Sequence, residues 1–403
     1  MSGFGILPVL STAAAVLAVA GIGQAVAGWD SVRRFAKGTV VLNPSQPPMT
    51  LLKPLHGDEP LLEQALSSVC AQDYPEFQVI FGVQDPIDPA IAIVRRLQTR
   101  FPDRNIRLVI DPSQHGRNRK ISNLINMLPH ARHNLLVIAD SDLHCAPDYL
   151  REVAAGFTGP EIGLVTTLYA GLAADRSLAA KLGATAINHG FLPGALMSRD
   201  LKREDCLGAT MALRRETLDA IGGMPALVDH IADDNVLGRL VRAQGLRIRI
   251  ANTVPATTIP ETRLAPLFRH ELRWSRTILS LVPVAFALSS IQFPLFWAAL
   301  AWALSGAGWA AALFATSWTV RAAVAISIDR KLGLVAAGRA TAVSAWLLPL
   351  RDVLSMAVIL ASYASDEVEW RGQMMHTRPK PPSPTLLPRR PAAVPPHQGT
   401  VLS

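Results

Sequence analysis

Residues His133 to Asp142 read HNLLVIADSD, a run of apolar β-formers ending in two carboxylates separated by one serine. A short apolar run bounded by polar residues suits a buried strand, and this one would deliver Asp140 and Asp142 to its C-terminal edge. Aspartates are hard oxygen ligands. Two of them alternating on an extended backbone can hold a divalent cation that a diphosphate then shares. The same pair also suits a plain strand-to-loop turn, where aspartate is common. The surroundings have to decide between these readings.

Outward from that strand, between Met49 and about Asn252, short apolar runs alternate with amphipathic stretches, the pattern of βα units around a largely parallel sheet. Strands are expected at Thr50–Leu52, Phe77–Val83, Ile106–Ile110, Leu135–Ala139, Gly163–Thr167, Gly208–Leu213 and Leu246–Ile250. Helices are expected at Pro60–Cys70, Pro89–Arg100, Ile121–Leu128 and Asn235–Gln244. No G-x-G-x-x-G follows the first strand and no Walker loop occurs, which counts against a dinucleotide dehydrogenase or a P-loop ATPase.

Half of the 403 residues are hydrophobic, too many for a soluble chain of this length, so membrane segments are expected. The formal net charge of +8 favours anionic head groups or anionic substrates. Nucleic acid is not the expected partner, because only 6% of residues are aromatic and they do not interleave with the basic ones. Cys70, Cys145 and Cys206 are widely spaced and odd in number, which suits free buried thiols rather than a disulfide or zinc set.

Phe4 to Ala27 lacks charge, is long enough to span a bilayer, and is followed by Arg33, Arg34 and Lys37. That basic flank places the succeeding residues in the cytoplasm. Without a basic stretch ahead of it, the segment reads as an uncleaved anchor (1–30) rather than a signal peptide. The catalytic candidate region is 45–262. Beyond it FRHELRWSRTILSLV mixes basic residues and Trp274 with apolar ones, so 263–280 suits a helix lying in the membrane interface. Leu281–Leu304 and Trp309–Ile328 are each long enough to span, while Ala342–Ala364 is interrupted by Arg351 and Asp352 and suits a re-entrant segment. Together these form a membrane region over 281–365. The proline-rich stretch from Thr377 to the end (377–403) is expected to be disordered.

Charged clusters fall where open α/β sheets place their ligands, at or beyond strand ends. Asp85 and Asp88 follow the second strand in VQDPIDPA and can accept bonds from a nucleobase or ribose, or make an Asp-Pro turn. Lys120 and Asn123 open a helix after the basic run in QHGRNRKISNL, where a point charge and helix-start amides suit a phosphate, or a solvated basic loop. Asp233 and Asp234 begin a helix in HIADDNVLGRL and can cap it or supply a general base. In HELRW, Arg273 can pair with a diphosphate and Trp274 can wall a sugar or lipid, or both can anchor the helix in the interface. His189 and His230 receive no role.

The succession VQDPIDPA, GRNRKISNL, IADSD, CLGATMALRRETL, IADDN and HELRW resembles the family-2 glycosyltransferases of the ceramide glucosyltransferase type, with their D, D, D, (Q/R)xxRW pattern. Within that group MTLLKPLHGDEP, KISNLINMLP and NHGFLP look most like the bacterial glycosyltransferases associated with hopanoid biosynthesis. The resemblance covers about Pro48 to Arg276. It implies a GT-A (Rossmann-like) α/β fold between N-terminal and C-terminal transmembrane helices, at a bacterial inner membrane. It implies transfer of N-acetylglucosamine or glucose from a UDP-sugar, with inversion, to a hopanoid hydroxyl, or to ceramide; a processive polysaccharide synthase shares the donor site but needs more spans. By the same resemblance Asp85, with Asp88 nearby, would contact uridine. Lys120 and Asn123 would lie by the diphosphate, Asp140 and Asp142 would meet it through Mg2+ or Mn2+, and Asp234 would be the base. Arg273 and Trp274 would close over the leaving UDP, with Asp233 and His270 on the acceptor side. His270 stands where the pattern has Gln or Arg, and Asn235 where family members often carry an aromatic.

Overall fold

The structure is a computed structural model that describes residues 5–38, 46–365, 367–370 and 373–376. The expected proline-rich tail lies outside the described residues. Ten strands organise the region between the apolar helices: β1 (Met49–Pro54), β2 (Phe77–Val83), β3 (Asn105–Ile110), β4 (Leu135–Ala139), β5 (Leu143–His144), β6 (Ile162–Thr166), β7 (Ala170–Ala173), β8 (Thr210–Arg214), β9 (Arg247–Ile250) and β10 (Ala256–Ile259). Seven of them form one sheet in the order β3-β2-β1-β4-β8-β6-β9. β1 pairs in parallel with β2 and β4, and β2 with β3; β8 runs antiparallel between β4 and β6, and β9 is parallel to β6. All seven expected strands are in this sheet.

Helices cover both faces, which is why β1, β2 and β4 are buried throughout and mostly apolar rather than alternating. On one face Met49, Leu51 and Phe81 pack under α2 (Leu62–Cys70), α3 (Ala90–Arg100) and α5 (Tyr149–Ala155). On the other, Leu52, Ile80 and Ile138 pack under α4 (Arg119–Met127), α8 (Arg215–Ala220) and α9 (Asp233–Ala243). The chain leaves β3 at one edge and returns to β4 on the far side of β1. This reversal opens a crevice at the carboxyl ends of β1 and β4, where such sheets bind ligands. A second sheet, β5-β10-β7, stands beside that crevice and was not foreseen. The three cysteines are free and buried, as expected.

The apolar helices lie at the two ends of the chain. α1 (Ile6–Ala36) continues past the expected end at Ala27 into its own charged collar, where Arg33 and Arg34 pair with Asp30. α6 (Leu178–Ala186) and α7 (Leu192–Asp200) precede β8, and α10 (Leu264–Leu281) follows β10. Then come α11 (Pro283–Leu288), α12 (Pro294–Ser305), α13 (Gly308–Leu332) and α14 (Leu348–Ser362). Among the described residues Ile6–Ala36, Gly308–Leu332 and Ala345–Ser362 are long and apolar enough to cross a membrane.

Two features of this region add to the expectations. Leu281–Leu304 is not one straight helix: Pro283–Gln292 and Pro294–Ser305 meet at 68°, at a break where Pro294 starts the second helix and cannot continue the one before it. Within Ala342–Ala364, Ala345–Ser362 is long and apolar enough to cross, and its two charges have partners inside the protein. Arg351 makes a two-pronged pair with Glu271, at 2.7 Å on each prong, and Asp352 accepts the otherwise orphaned Leu295 amide of α12 at 3.1 Å.

Candidate active site at the sheet edge

β4 ends at Ala139, and the next residue, Asp140, carries its carboxylate into the crevice. Lys120, in the first turn of α4, places Nζ 2.8 Å from Asp140 Oδ1 and 3.7 Å from Asp233 Oδ2. Asn118 fixes that turn twice: its Oδ1 accepts the Ile121 amide at 3.1 Å, and its Nδ2 donates to Asp233 Oδ1 at 3.2 Å. Burial alone would depress the Lys120 ammonium, but the charges of Asp140 and Asp233 outweigh it and hold the group well above its usual range.

Asp142 sits on the opposite side of Ser141 and takes the Thr257 hydroxyl of β10 as a donor, a contact created by the pairing of β10 with β5. Burial, reinforced by the like charge of Asp140, pushes its carboxyl up to about 6. Ser141 donates to Glu59 at 2.9 Å, which ties the loop after β1 to this turn.

Asp234 lies in the first turn of α9, where its Oδ1 accepts the Asn235 amide at 2.7 Å. Burial and the neighbouring Asp233 push its carboxyl up to about 6. Gly208 makes room for it: a Cβ there would come within 2.8 Å of Asp234 Oδ2.

The structure therefore gathers Lys120, Asp140, Asp142, Asp233 and Asp234 in one crevice. Asp233 faces Asn118 and Lys120. Asn123 is buried and donates to the Gly82 carbonyl at 2.8 Å, tying α4 to β2. Asp88 is buried too; it accepts the Gly57 and Ala90 amides, each at 2.9 Å, and so holds the loop after β1. Asp85 stays exposed, and its carboxylate accepts the Ile87 amide at 3.0 Å. On α10, His270 Nδ1 meets Glu261 Oε1 at 2.5 Å and packs edge-on against Trp274. Trp274 is 37% exposed, and the charge of Arg273 reaches Glu261.

Sequence reasoning missed four residues here, Thr257 beside Asp142 among them. Tyr169 stands in the field of Asp234, Asp140 and Asp142, and burial with those charges raises its hydroxyl. Lys53 is wholly buried in β1 without a hydrogen-bond partner; burial lowers its ammonium while Asp142 and Asp140 act against that. A lysine inside the apolar run MTLLKP was the available signal. Glu59 had none beyond its place after a strand.

Among the described residues no three His, Cys, Asp or Glu side chains converge to hold a metal by themselves. The donor set nonetheless suits one. Two adjacent carboxylates, Asp142 under electrostatic strain from Asp140, match a divalent cation that completes its shell with phosphate oxygens and water.

Residues 13–382 match the family model described as glycosyl transferase family 21. The chain is similar to ceramide glucosyltransferase 1 of Caenorhabditis elegans, 21% identical over 250 residues that cover 62% of this chain and 54% of that protein. It is also similar to an N-acetylglucosaminyltransferase of Rhizobium meliloti, 26% identical over 246 residues covering 57% and 55%. The chain thus spans about half the length of the curated relatives it matches. Among solved structures it is similar to the mannosyltransferase PcManGT from Pyrobaculum calidifontis in complex with GDP-Man and Mn2+, with a TM-score of 0.52 and 21% identity, covering 88% of this chain and 98% of that one. That likeness concerns the fold, a mixed α/β GT-A-like glycosyltransferase arrangement flanked here by apolar helices.

Proposed function

The chain belongs to glycosyl transferase family 21, and on that premise we propose that it moves a sugar from a UDP-sugar to the hydroxyl of a membrane lipid, with inversion. The observation that carries this reading is the half-buried Asp234 carboxylate, held at about 6 beside the Lys120–Asp140 pair. A carboxylate with that value is ionised at neutral pH yet basic enough to share a hydroxyl proton during attack.

In the reaction, Asp234 accepts the proton of the lipid hydroxyl as its oxygen bonds to the anomeric carbon. The bond from that carbon to the UDP oxygen breaks on the opposite face, which inverts the configuration. Lys120, fixed by Asn118, offers its ammonium to the diphosphate, and Asp85 is free to meet the nucleoside. Asp140 and Asp142 would hold Mg2+ or Mn2+, which when bound neutralises charge on the departing diphosphate. The solved mannosyltransferase carries Mn2+ with its nucleotide sugar, which supports this use of the two aspartates. Arg273 and Trp274 on α10 would cover the UDP, with His270 toward the acceptor.

For the acceptor, the relatives named ceramide glucosyltransferases favour ceramide with glucose. The runs MTLLKPLHGDEP, KISNLINMLP and NHGFLP favour a hopanoid, and the Rhizobium relative's name favours N-acetylglucosamine. The residues Arg33, Arg34 and Lys37 at the C-terminal end of α1 favour a cytoplasmic catalytic region at a bacterial inner membrane. UDP release by the purified chain, measured with ceramide and with a hopanoid polyol, tests the reading. Turnover by Asp234→Asn equal to wild type would remove the proposed base, and a polymeric product would favour a processive synthase.

A further inference from the structure

Between α6 and α7 the backbone makes a π-helical turn at Ile187–Phe191, a feature enriched at functional sites. It carries His189, whose ring is fully buried and whose two nitrogens lack a hydrogen bond; Nε2 lies 3.3 Å from Asp329 Oδ1 without bonding geometry. Arg321 of α13, also buried, donates to the His189 carbonyl at 3.0 Å, lies 3.7 Å from Asp352 and leaves Nε unsatisfied. Both side chains line a pocket with Gln24 of α1 and Gln292. Gly190 and Gly194 form part of its wall, and a Cβ on either would meet nothing within 4 Å. Unsatisfied ionisable groups set among membrane-length helices are costly and mark function.

Depth, size and charge narrow the occupant. The pocket residues of α1 stand roughly 8–14 Å along the helix from Arg33, near the boundary between hydrocarbon and head groups. The space open to water-sized groups is about 20 Å³, enough for a small polar group. Arg321 already faces Asp352, and Asp329 stands beside His189, so an anion finds no net positive charge. The pocket is also coupled to the active site. Phe191, two residues after His189, stacks on Tyr169 with ring centres 4.4 Å apart, and Tyr169 lies in the field of Asp234.

We propose that this pocket receives one uncharged hydroxyl or amide group of the lipid acceptor and so sets the register of that lipid below the active site. The proposal rests on the reading of a lipid as acceptor. The test uses the full chain in nanodiscs with a ceramide, and separately a hopanoid polyol, each carrying a photoreactive diazirine. Cross-links are expected within 187–197 or 321–328. Gly194→Leu and His189→Leu should each lower that labelling at least fivefold and raise the lipid KM at least fivefold, with UDP binding in Mn2+ unchanged by calorimetry. Gly190→Ala, which adds one methyl group into open space, keeps the test readable if a larger change prevents folding. Labelling elsewhere, or unchanged labelling and lipid KM in Gly194→Leu, would overturn the proposal and leave a cavity for a structural water only. Pocket labelling by a wild-type chain that glycosylates neither lipid would instead sink the transfer reading and leave the pocket standing.

Discussion

Asp234 has the most exposed consequence at the residue scale, because its carboxyl titrates near 6 rather than near 4. The ionised form is the proposed base, so kcat/KM should be flat above that pH and fall about tenfold per unit below it. The sign for stability is opposite: a raised carboxyl favours the protonated folded state, and that contribution fades as pH rises through 6. Asp233→Asn removes a like charge and should move the acid limb of the pH–rate profile to lower pH. Asp234→Asn should cost roughly 10²–10⁴ in kcat with UDP affinity retained. Gly208→Ala would press a methyl group onto Asp234; kcat should drop at least tenfold while the melting temperature shifts little. Chelation should abolish transfer, added Mn2+ should restore it, and Asp142→Asn should need more metal for the same rate. Asp140, Asp142 and Asp234 were legible in the sequence because each ends a strand or starts a helix, where local pattern suffices. Thr257 and Tyr169 were not, since only long-range strand pairing brings them to the crevice.

Among the elements, α10 decides how the Arg273–Trp274 pair is presented. It is held from α14, where Arg351 grips Glu271 and also donates to the Leu182 carbonyl of α6 at 3.2 Å. Both partners are mostly buried, so removing one strands a charge, at a cost of about 3–5 kcal/mol. Arg351→Ala should therefore lower the thermal midpoint and reduce turnover more than UDP binding. The reversed pair, Glu271→Arg with Arg351→Glu, should recover part of both losses, as scanning fluorimetry and UDP release would record. The long strands and helices were readable from period and length, but β5, β7 and β10 were not. Two to four residues carry too little periodicity, and their stability comes from partners far along the chain. The bend between α11 and α12 was signalled by Pro294, yet overall apolarity masked it.

For the whole molecule, the layout of anchor, sheet domain and closing helices followed from hydropathy and charge, whereas their mutual docking did not. α1 is joined to the rest along its length: Ser11 donates to the Ala301 carbonyl at 3.0 Å, Trp29 to Ser327 at 2.8 Å, and Arg34 and Ser31 both reach Asp200. Deleting residues 1–38 should thus expose the apolar flanks of α12 and α13, and the monodisperse peak of the detergent-extracted chain should be lost on size exclusion. The bond of the α1 collar to Asp200, at the end of α7, has a further consequence. It ties the end of α7 to the end of α1, so on the proposed reading Asp234 would work as a fixed gauge. Lipids should then be sorted by how far their hydroxyl stands proud of the membrane, and tail length should matter little.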